Sequence, residues 1–178
     1  MRTAISHARG SSDQRVPVGD HRWVSIRPIE RSDAAGLSAF YARLSAESRR
    51  RRFLGPIATV DPALIAQFVT PGDGIVGVLR EPGPNDGAIV AHASVQGVGR
   101  ARAEVAFAVA DELHDRGLGR ELVDAAIRLA RGRGLWRVSA SLYADNAPMR
   151  RLLRDPAREI VSDVIEDGVE EIELRLAA

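Results

Sequence analysis

Two glycines in the middle of the chain, Gly117 and Gly119, lie where the backbone could hold an anion. They follow a short charged turn that ends an apolar segment, and they begin a long amphipathic segment. The first turn of a helix exposes four backbone N–H groups and carries about half a positive charge. Glycines at that point let a phosphate approach these donors without meeting a Cβ. The pattern therefore predicts a phosphate-binding helix start.

The elements around this loop must position it. Apolar runs at 103–110 and 135–143 predict two strands, and the segment between them, from Gly117 to about Gly132, predicts a helix. The predicted buried stripe of this helix consists of Leu118, Leu122, Ala126, Leu129 and Ala130. A strand, a helix and a strand in this order form a right-handed crossover with parallel strands. A ligand on the glycine loop would then lie between the carboxyl ends of the two strands.

The rest of the chain alternates strand and helix patterns. Further strands are predicted at 23–28, 75–79, 88–95, 160–165 and 171–176, the last two as a hairpin that turns at 166–168. Further helices are predicted at 34–44, 46–54, 62–69 and from Ala147 to about Arg154. These elements predict a mixed α+β fold, with an antiparallel meander followed by a parallel crossover.

Composition removes several classes of function. The 178 residues are 45% hydrophobic and 28% charged, enough for one substantial core. There is no cysteine and only four histidines, so we predict no metal site. All 25 basic residues are arginine, which removes the lysine that phosphate-loop NTPases require. A net charge of +1 and 4% aromatic residues argue against a nucleic-acid partner.

The first 21 residues differ in character from the remainder. Residues 1–21 are polar and contain no apolar run, so we predict a disordered leader followed by one domain over residues 22–178. A signal peptide or a membrane helix needs a longer apolar stretch than this chain offers. A cytoplasmic protein without a membrane partner is the expectation.

A dinucleotide site is the first alternative for the glycine loop. The G-x-G-x-x-G motif of such a site needs a third glycine, but this chain has Leu122 at that position. In such a site the motif also follows the strand directly. Here the six residues 111–116 intervene, and only one crossover is predicted, although Asp145 lies near the expected acidic position. Two of the three local requirements of a dinucleotide site therefore fail.

The loop and its surroundings resemble a known family. The run His114-Asp115-Arg116-Gly117-Leu118-Gly119 is similar to the Q/R-x-x-G-x-G/A signature of the GNAT superfamily of acetyl-CoA-dependent N-acyltransferases, with histidine at the first position. The opening VSIRPIERSDAAGLSAFYARL and the pair Asp145-Asn146 also match. The segment LSAESRRRRFLG is similar to one in bacterial protein-lysine acetyltransferases of this superfamily. The resemblance implies a central sheet of about six to seven strands in which the parallel pair is splayed.

The resemblance also implies a coenzyme site. Backbone amides of residues 116–120 would hold the pyrophosphate, Phe107 to Val109 would pair with the pantetheine arm, and Asn146 would contact that arm from the other side. The implied coenzyme-binding residues are Phe107, Ala108, Val109, His114, Arg116, Gly117, Leu118, Gly119, Arg120 and Asn146. The structural alternatives are a tight turn for the glycines, a helix N-cap for Asn146 and a solvated face for the arginines.

Glu104 is the candidate general base. An alkyl amine with a pKa of about 10.4 must lose its proton before it attacks, at a cost of about 4.6 kcal/mol at pH 7. Glu104 lies within the apolar strand upstream of the coenzyme segment, where the family often carries its catalytic glutamate. The alternative is an exposed strand start at which Glu104 pairs with Arg100 or Arg102. His92 is a second candidate base, or else a packed histidine.

Some residues depart from the family pattern. Leu153 stands where many members carry the tyrosine that protonates the leaving thiolate, and Asp155-Pro156 replaces the usual Gly-Phe. Tyr143 is a possible substitute for that tyrosine or a core residue. We therefore expect transfer of an acetyl or short acyl group from acetyl-CoA to a primary amine, either a small molecule or a protein lysine. The alternatives are an acyl-CoA-binding sensor and an interaction module, and the sequence leaves a homodimer open.

Overall fold

The computed structural model describes residues 14–99 and 101–176, which form one mixed sheet with helices on both faces. The strands are β1 (Gln14–Gly19), β2 (Arg22–Pro28), β3 (Gly74–Arg80), β4 (Ile89–Val98), β5 (Arg102–Val109), β6 (Arg137–Tyr143), β7 (Glu159–Glu166) and β8 (Val169–Arg175). The helices are α1 (Ala34–Arg43), α2 (Ala46–Phe53), α3 (Pro62–Phe68), α4 (Leu118–Gly132) and α5 (Ala147–Leu153). Short 3-10 turns at Arg31–Asp33 and Asp111–Leu113 join neighbouring elements.

The sheet has eight strands in the order β1-β2-β3-β4-β5-β6-β8-β7. Strands β1 to β5 form an antiparallel meander, and β5 pairs with β6 in the parallel direction through the crossover that contains α4. The closing hairpin inserts β8 between β6 and β7, so β7 is an edge strand. The predicted mixed α+β class is confirmed, with more strands than the six to seven expected.

The additional strand lies inside the predicted leader. Gln14–Gly19 pairs antiparallel with β2 and buries Val16 and Val18, so the prediction of disorder was wrong for this segment. A strand of six residues that contains Pro17 and ends in glycine carries little local signal, and its partner β2 supplies the pairing. Residues 1–13 of the predicted leader lie outside the described residues.

The sheet is covered on both sides. Helix α4 packs on one face against β3, β4 and β5, whereas α1 and α2 pack on the other against β4, β5 and β6. The predicted stripe of α4 is confirmed by the complete burial of Leu118, Leu122, Ala126 and Ala130, with Leu129 partly buried. Within the described residues, no helix is both long and apolar enough to cross a membrane.

Strands β5 and β6 separate after a short paired segment. They pair only from Arg102 opposite Arg137 to Glu104 opposite Ser139. Beyond that point β5 continues to Val109 and β6 to Tyr143 without pairing to each other. The two strands therefore form a V whose apex lies at Glu104 and Ser139.

A buried carboxylate fixes α5 beside this V. Glu170 of β8 is completely buried, and its Oε1 accepts a hydrogen bond of 2.8 Å from Arg154, the C-cap residue of α5. Arg150 Nε lies 2.6 Å from Oε2 of Glu170 but is not aligned for a hydrogen bond, so this contact is an ion pair only. Because Arg150 lies in α5 and Arg154 directly follows it, the pairing attaches the helix to the sheet next to β6.

Candidate functional site

A cavity of about 460 Å³ opens between the separated ends of β5 and β6. Its walls come from β5, from the loop that begins α4, from β6, from α5 and from one face of α2. The residues from the strands are Val105, Ala106, Phe107, Ala108, Val109, Ala140, Ser141 and Leu142. The other lining residues are Ser48, Arg51, Arg52, Leu113, His114, Asp115, Gly117, Gly119, Arg120, Asn146, Pro148, Met149, Arg151 and Leu152.

The glycine loop forms part of the cavity wall. Gly117 is the N-cap of α4 and has a φ of 78°, a conformation that strongly favours glycine. Gly119 lies close to α5, because a Cβ on it would sit 3.1 Å from Cδ1 of Leu152. The Arg120 N–H donates to the Gly117 carbonyl at 3.1 Å, whereas the amides before it have no partner inside the helix. These amides are the donors available to an anion.

Most of the predicted coenzyme-binding residues line this cavity. The eight that do are Phe107, Ala108, Val109, His114, Gly117, Gly119, Arg120 and Asn146. The side chain of Leu118, the first residue of α4, is fully buried, so this residue offers only its backbone amide to a ligand. Arg116 is exposed and lies outside the cavity lining. The structure thus brings together the backbone of the motif and leaves two of its side chains outside.

Two of these residues also have structural contacts. The His114 ring bonds the Val109 carbonyl through Nε2 at 3.1 Å, which ties the loop to the end of β5. Asn146 is the N-cap of α5, and its side-chain oxygen accepts from the Met149 amide at 3.4 Å. The N-cap interpretation of Asn146 therefore holds alongside its place in the cavity wall.

Glu104 lies at the apex of the V, on the face of the sheet that α1 and α2 cover. Its partner across β4 is Gln96, and Ser94 is opposite Ala106 in the next row. Ser94 accepts a hydrogen bond from Arg52 of α2, so Ser94 lies on the face that α2 covers. Because alternate residues of a strand share a face, Gln96 and its partner Glu104 lie on that face as well. The Glu104 side chain is exposed and does not line the cavity. Arg102, its proposed structural partner, contacts Glu173 instead at 3.8 Å, and Arg100 lies outside the described residues.

One face of α2 is a part of the cavity that the motif did not indicate. Ser48, Arg51 and Arg52 line it, at the spacing i, i+3 and i+4 that places side chains on one helix face. The other arginines of the run turn elsewhere: Arg49 donates to the Ile57 carbonyl at 3.1 Å, and Arg50 lies over the Tyr143 ring. Helical spacing within the arginine run was the sequence signal for this wall.

Asp111 fixes α2 above the end of β5. It accepts hydrogen bonds from the Ser45 amide at 2.9 Å and from the Ser48 hydroxyl at 2.6 Å. Burial opposes ionisation of this carboxyl, but the hydrogen bonds from Ser48 and Ser45 outweigh it and lower the pKa of Asp111. The ionised carboxylate joins the start of α2 to the turn that precedes the glycine loop.

His92 lies beneath the cavity rather than in it. The ring is completely buried, and its Nδ1 lies 2.8 Å from the Tyr41 hydroxyl. Burial, and then the positive charge of Arg52, hold the pKa of His92 well below its usual value. Burial likewise raises the pKa of Tyr41, although Arg52 opposes this rise. The structure therefore supports the packed interpretation of His92, as a neutral ring.

The buried neutral ring predicts a pH-dependent stability. The unfolded chain binds a proton at His92 with a pKa of about 6.5, whereas the folded protein does not bind it in this range. The free energy of unfolding therefore falls as the pH falls below about 6.5. Between about pH 6.5 and about pH 5 the limiting slope is about 1.4 kcal/mol per pH unit. Urea unfolding across this range should show the slope, and His92→Gln should lack it. Equal slopes in the two proteins would contradict the assignment.

The pH window separates His92 from the carboxylates. Asp33 and Asp111 have lowered pKa values in the folded protein, for Asp33 because the hydrogen bonds from Arg27 and Glu30 outweigh burial. Their contributions to stability are present above the unfolded pKa of about 3.9 and are lost as the pH falls below it. The measurement between about pH 6.5 and about pH 5 therefore reports chiefly on histidine.

The departures from the family pattern have clear structural positions. Leu153 is 1% exposed and packs in the core. The Arg50 guanidinium lies 4.1 Å from the centre of the Tyr143 ring, which does not line the cavity. Asp155 accepts from the Ala157 amide at 2.9 Å and forms an ion pair with Arg120. This ion pair partly neutralises the arginine beside the glycine loop.

Among residues 14–99 and 101–176, no group of three or more histidine, aspartate or glutamate side chains is placed to hold a metal ion. The donors in the cavity wall include backbone amides and guanidinium groups. Such donors suit a phosphorylated ligand.

Comparison with known proteins points to one family. The profile of the acetyltransferase (GNAT) family matches residues 41–155. An acetyltransferase of Pseudomonas aeruginosa is 29% identical over 164 residues, which cover 85% of each chain. The crystal structure of the GNAT domain of S. lividans PAT is similar with a TM-score of 0.76 and 27% identity, covering 92% of this chain and 96% of that one.

A second solved structure was determined with a ligand. The structure of yncA, a putative acetyltransferase from Salmonella typhimurium, contains its cofactor acetyl-CoA. It has a TM-score of 0.65 and 20% identity to this chain, covering 86% of this chain and 94% of that one. At this identity the similarity concerns the fold.

Proposed function

Since the chain belongs to the GNAT family of acetyltransferases, we propose that it transfers an acetyl or short acyl group from acetyl-CoA to a primary amine. The observation that carries the proposal is the V between β5 and β6, because one cavity runs along it from the glycine loop toward the row of Glu104. The domain that we assign to this activity is the predicted segment 22–178, with β1 added to its sheet.

The coenzyme would lie along the V. Its pyrophosphate would accept from the amides at Gly117, Leu118 and Gly119. The guanidinium of Arg151, which has no ion-pair partner among residues 14–99 and 101–176, would lie beside it. The pantetheine arm would follow Phe107–Val109, whose edge toward β6 has no strand partner, and Asn146 would contact it from the other side. The relative from Salmonella typhimurium, solved with acetyl-CoA, supports this ligand for the fold.

The reaction would take place at the apex. The amine nitrogen attacks the carbonyl carbon of the thioester, a C–N bond forms, and the C–S bond breaks. The amine gives its proton to the Glu104 carboxylate, which is exposed and has no ion-pair partner among the described residues. A positioned base contributes about 10²- to 10⁴-fold in rate, which offsets much of the cost of deprotonating the amine.

The leaving thiolate would take its proton from solvent. Leu153 occupies the position of the usual tyrosine and is buried in the core, and Tyr143 lies outside the cavity lining. A thiol has a pKa of about 8.5, so its thiolate is a fair leaving group near neutral pH. Turnover therefore does not depend on a side-chain acid.

A binding module is the second candidate function. It would hold acyl-CoA in the same cavity without transferring the acyl group, and two observations favour it. The position of the thiolate acid is filled by Leu153, and Glu104 does not line the cavity itself.

Incubation with acetyl-CoA and a panel of acceptors tests the proposal against this alternative. The panel contains simple alkyl amines, aminoglycosides, amino acids and lysine peptides, and mass spectrometry detects the acetylated product. We expect enzyme-dependent acetylation of at least one class. Binding of acetyl-CoA without acetylation of any amine would favour the binding module instead.

A further inference from the structure

We propose that Arg52 binds a carboxylate of the acceptor, so that the preferred acceptor is an amino acid whose amine and carboxylate enter the cavity together. The inference rests on the acetyl transfer proposed above and specifies the substrate class of that site. It comes from the contacts of Arg52, from the lack of a counter-ion for it within the described residues, and from its place relative to Glu104.

Arg52 is held firmly beside the cavity. Its Nη2 donates to the Ser94 hydroxyl at 2.9 Å, and its guanidinium lies 5.0 Å from the centre of the Phe53 ring and 5.1 Å from that of Phe68. Its Nε is buried and has no hydrogen-bond partner among the described residues. The guanidinium also faces the Tyr41 hydroxyl. Because a guanidinium carries five N–H donors, donors remain for a ligand after the contacts with Ser94 and Tyr41.

The charge of Arg52 is not balanced by a carboxylate. No aspartate or glutamate of the described residues forms an ion pair with it, whereas Glu47 accepts hydrogen bonds from both Arg50 and Arg51. Those hydrogen bonds, from Arg50 and then Arg51, lower the pKa of Glu47 to about 2, so it stays ionised for its own partners. Two titratable groups that interact with Arg52, Tyr41 and His92, are both neutral near pH 7.

An unbalanced guanidinium in a partly buried site favours an anionic ligand. A charge taken from water without a partner is costly, and a carboxylate is the group that a guanidinium binds with two parallel hydrogen bonds. Aromatic contacts with Phe53 and Phe68 offset only part of this cost. A ligand carboxylate would supply the missing partner.

The location of Arg52 favours the acceptor over the coenzyme as the source of that carboxylate. Its partner Ser94 lies opposite Ala106, two residues along the same face from Glu104, or about 7 Å. The glycine loop follows Val109, at the opposite end of β5, and the phosphates belong there. Because His92, whose pKa the charge of Arg52 lowers, lies opposite Ala108, Arg52 lies between the row of Glu104 and the glycine loop, one row from the base and short of the phosphates.

Matched acceptors test the inference. Each amino acid of a set, such as leucine, glutamate and phenylalanine, is compared with its α-amide, which lacks the charge of the α-carboxylate. We expect kcat/KM to be at least about tenfold higher for the amino acid, the equivalent of about 1.4 kcal/mol. Arg52→Gln should abolish this preference through a higher KM for amino acids, with little change for the amides or for the Kd of acetyl-CoA. Arg52→Lys should retain part of it.

The control is Arg50→Gln, on the same helix but turned toward Tyr143, and it should keep the preference. Far-UV circular dichroism and the Tm of each variant exclude misfolding. Equal kcat/KM for amino acids and amides in the wild type would overturn the inference. A higher kcat/KM for lysine peptides than for amino acids would also overturn it. An equal loss of kcat for both substrates in Arg52→Gln would also overturn it. Failure of the proposed function is distinct, because then no amine of either kind is acetylated.

Discussion

Replacement of Glu104 by glutamine should lower kcat for acetyl transfer by about 10²- to 10⁴-fold, with little change in the Kd of acetyl-CoA. Glutamine keeps the size of the side chain but cannot accept the amine proton. Glu104 lies at the apex of the V and outside the lining of the cavity, so the coenzyme site itself is not altered. Steady-state kinetics of CoA release, together with calorimetric titration of acetyl-CoA, measure the two effects separately.

The pH dependence of the variant adds a second readout. As the pH rises toward the pKa of the acceptor amine, more of the amine is already deprotonated, so the deficit of Glu104→Gln should narrow. Glu166→Gln, at an exposed carboxylate in the edge strand β7, is the matched control and should behave as the wild type. Unchanged turnover in Glu104→Gln would remove the base assignment.

Replacement of Gly119 by valine should weaken acetyl-CoA binding by about 100-fold or more, the equivalent of about 2.7 kcal/mol. A Cβ at this position would lie 3.1 Å from Cδ1 of Leu152, and Gly119 lines the cavity. A valine side chain there would therefore crowd Leu152 and occupy space beside the amides that would hold the pyrophosphate. Calorimetric titration of acetyl-CoA measures the loss.

Gly132→Val is the matched control because it makes the same change at the other end of α4, where a Cβ meets nothing within 4 Å. Both variants place a β-branched residue in one helix, so their stabilities can be compared directly. Crowding against Leu152 should cost Gly119→Val about 1–3 kcal/mol of additional stability. Tight binding of acetyl-CoA by Gly119→Val would contradict the placement of the pyrophosphate.

Local sequence patterns predict the parts of this fold that depend on local physics. The amphipathic stripe of α4 and the glycine turn before it follow from residue spacing and residue type, and both are present. The closing hairpin is another case, since Asp167 and Gly168 both adopt positive φ at the predicted turn. Strand β1 was missed because its stability comes from pairing with β2.

The candidate site was only partly predictable, because its remaining features depend on register and packing. The position of Glu104 at the apex follows from its pairing with Ser139, which no local pattern encodes. Arg116 and Arg120 are both arginines of the glycine loop. Arg116 is exposed outside the cavity lining, whereas Arg120 forms an ion pair with Asp155. That no carboxylate of the described part of the chain pairs with Arg52 depends on how α2 packs over β4.

The central claim is that the V between β5 and β6 binds acetyl-CoA, and its most direct test is the stability of the protein with and without this ligand. At about 100 times its dissociation constant, a ligand that binds only the folded state raises the free energy of unfolding by about 2.7 kcal/mol. We expect this increase with acetyl-CoA, and a much smaller one in Gly119→Val at the same concentration. An unchanged free energy of unfolding of the wild type at saturating acetyl-CoA would contradict the account.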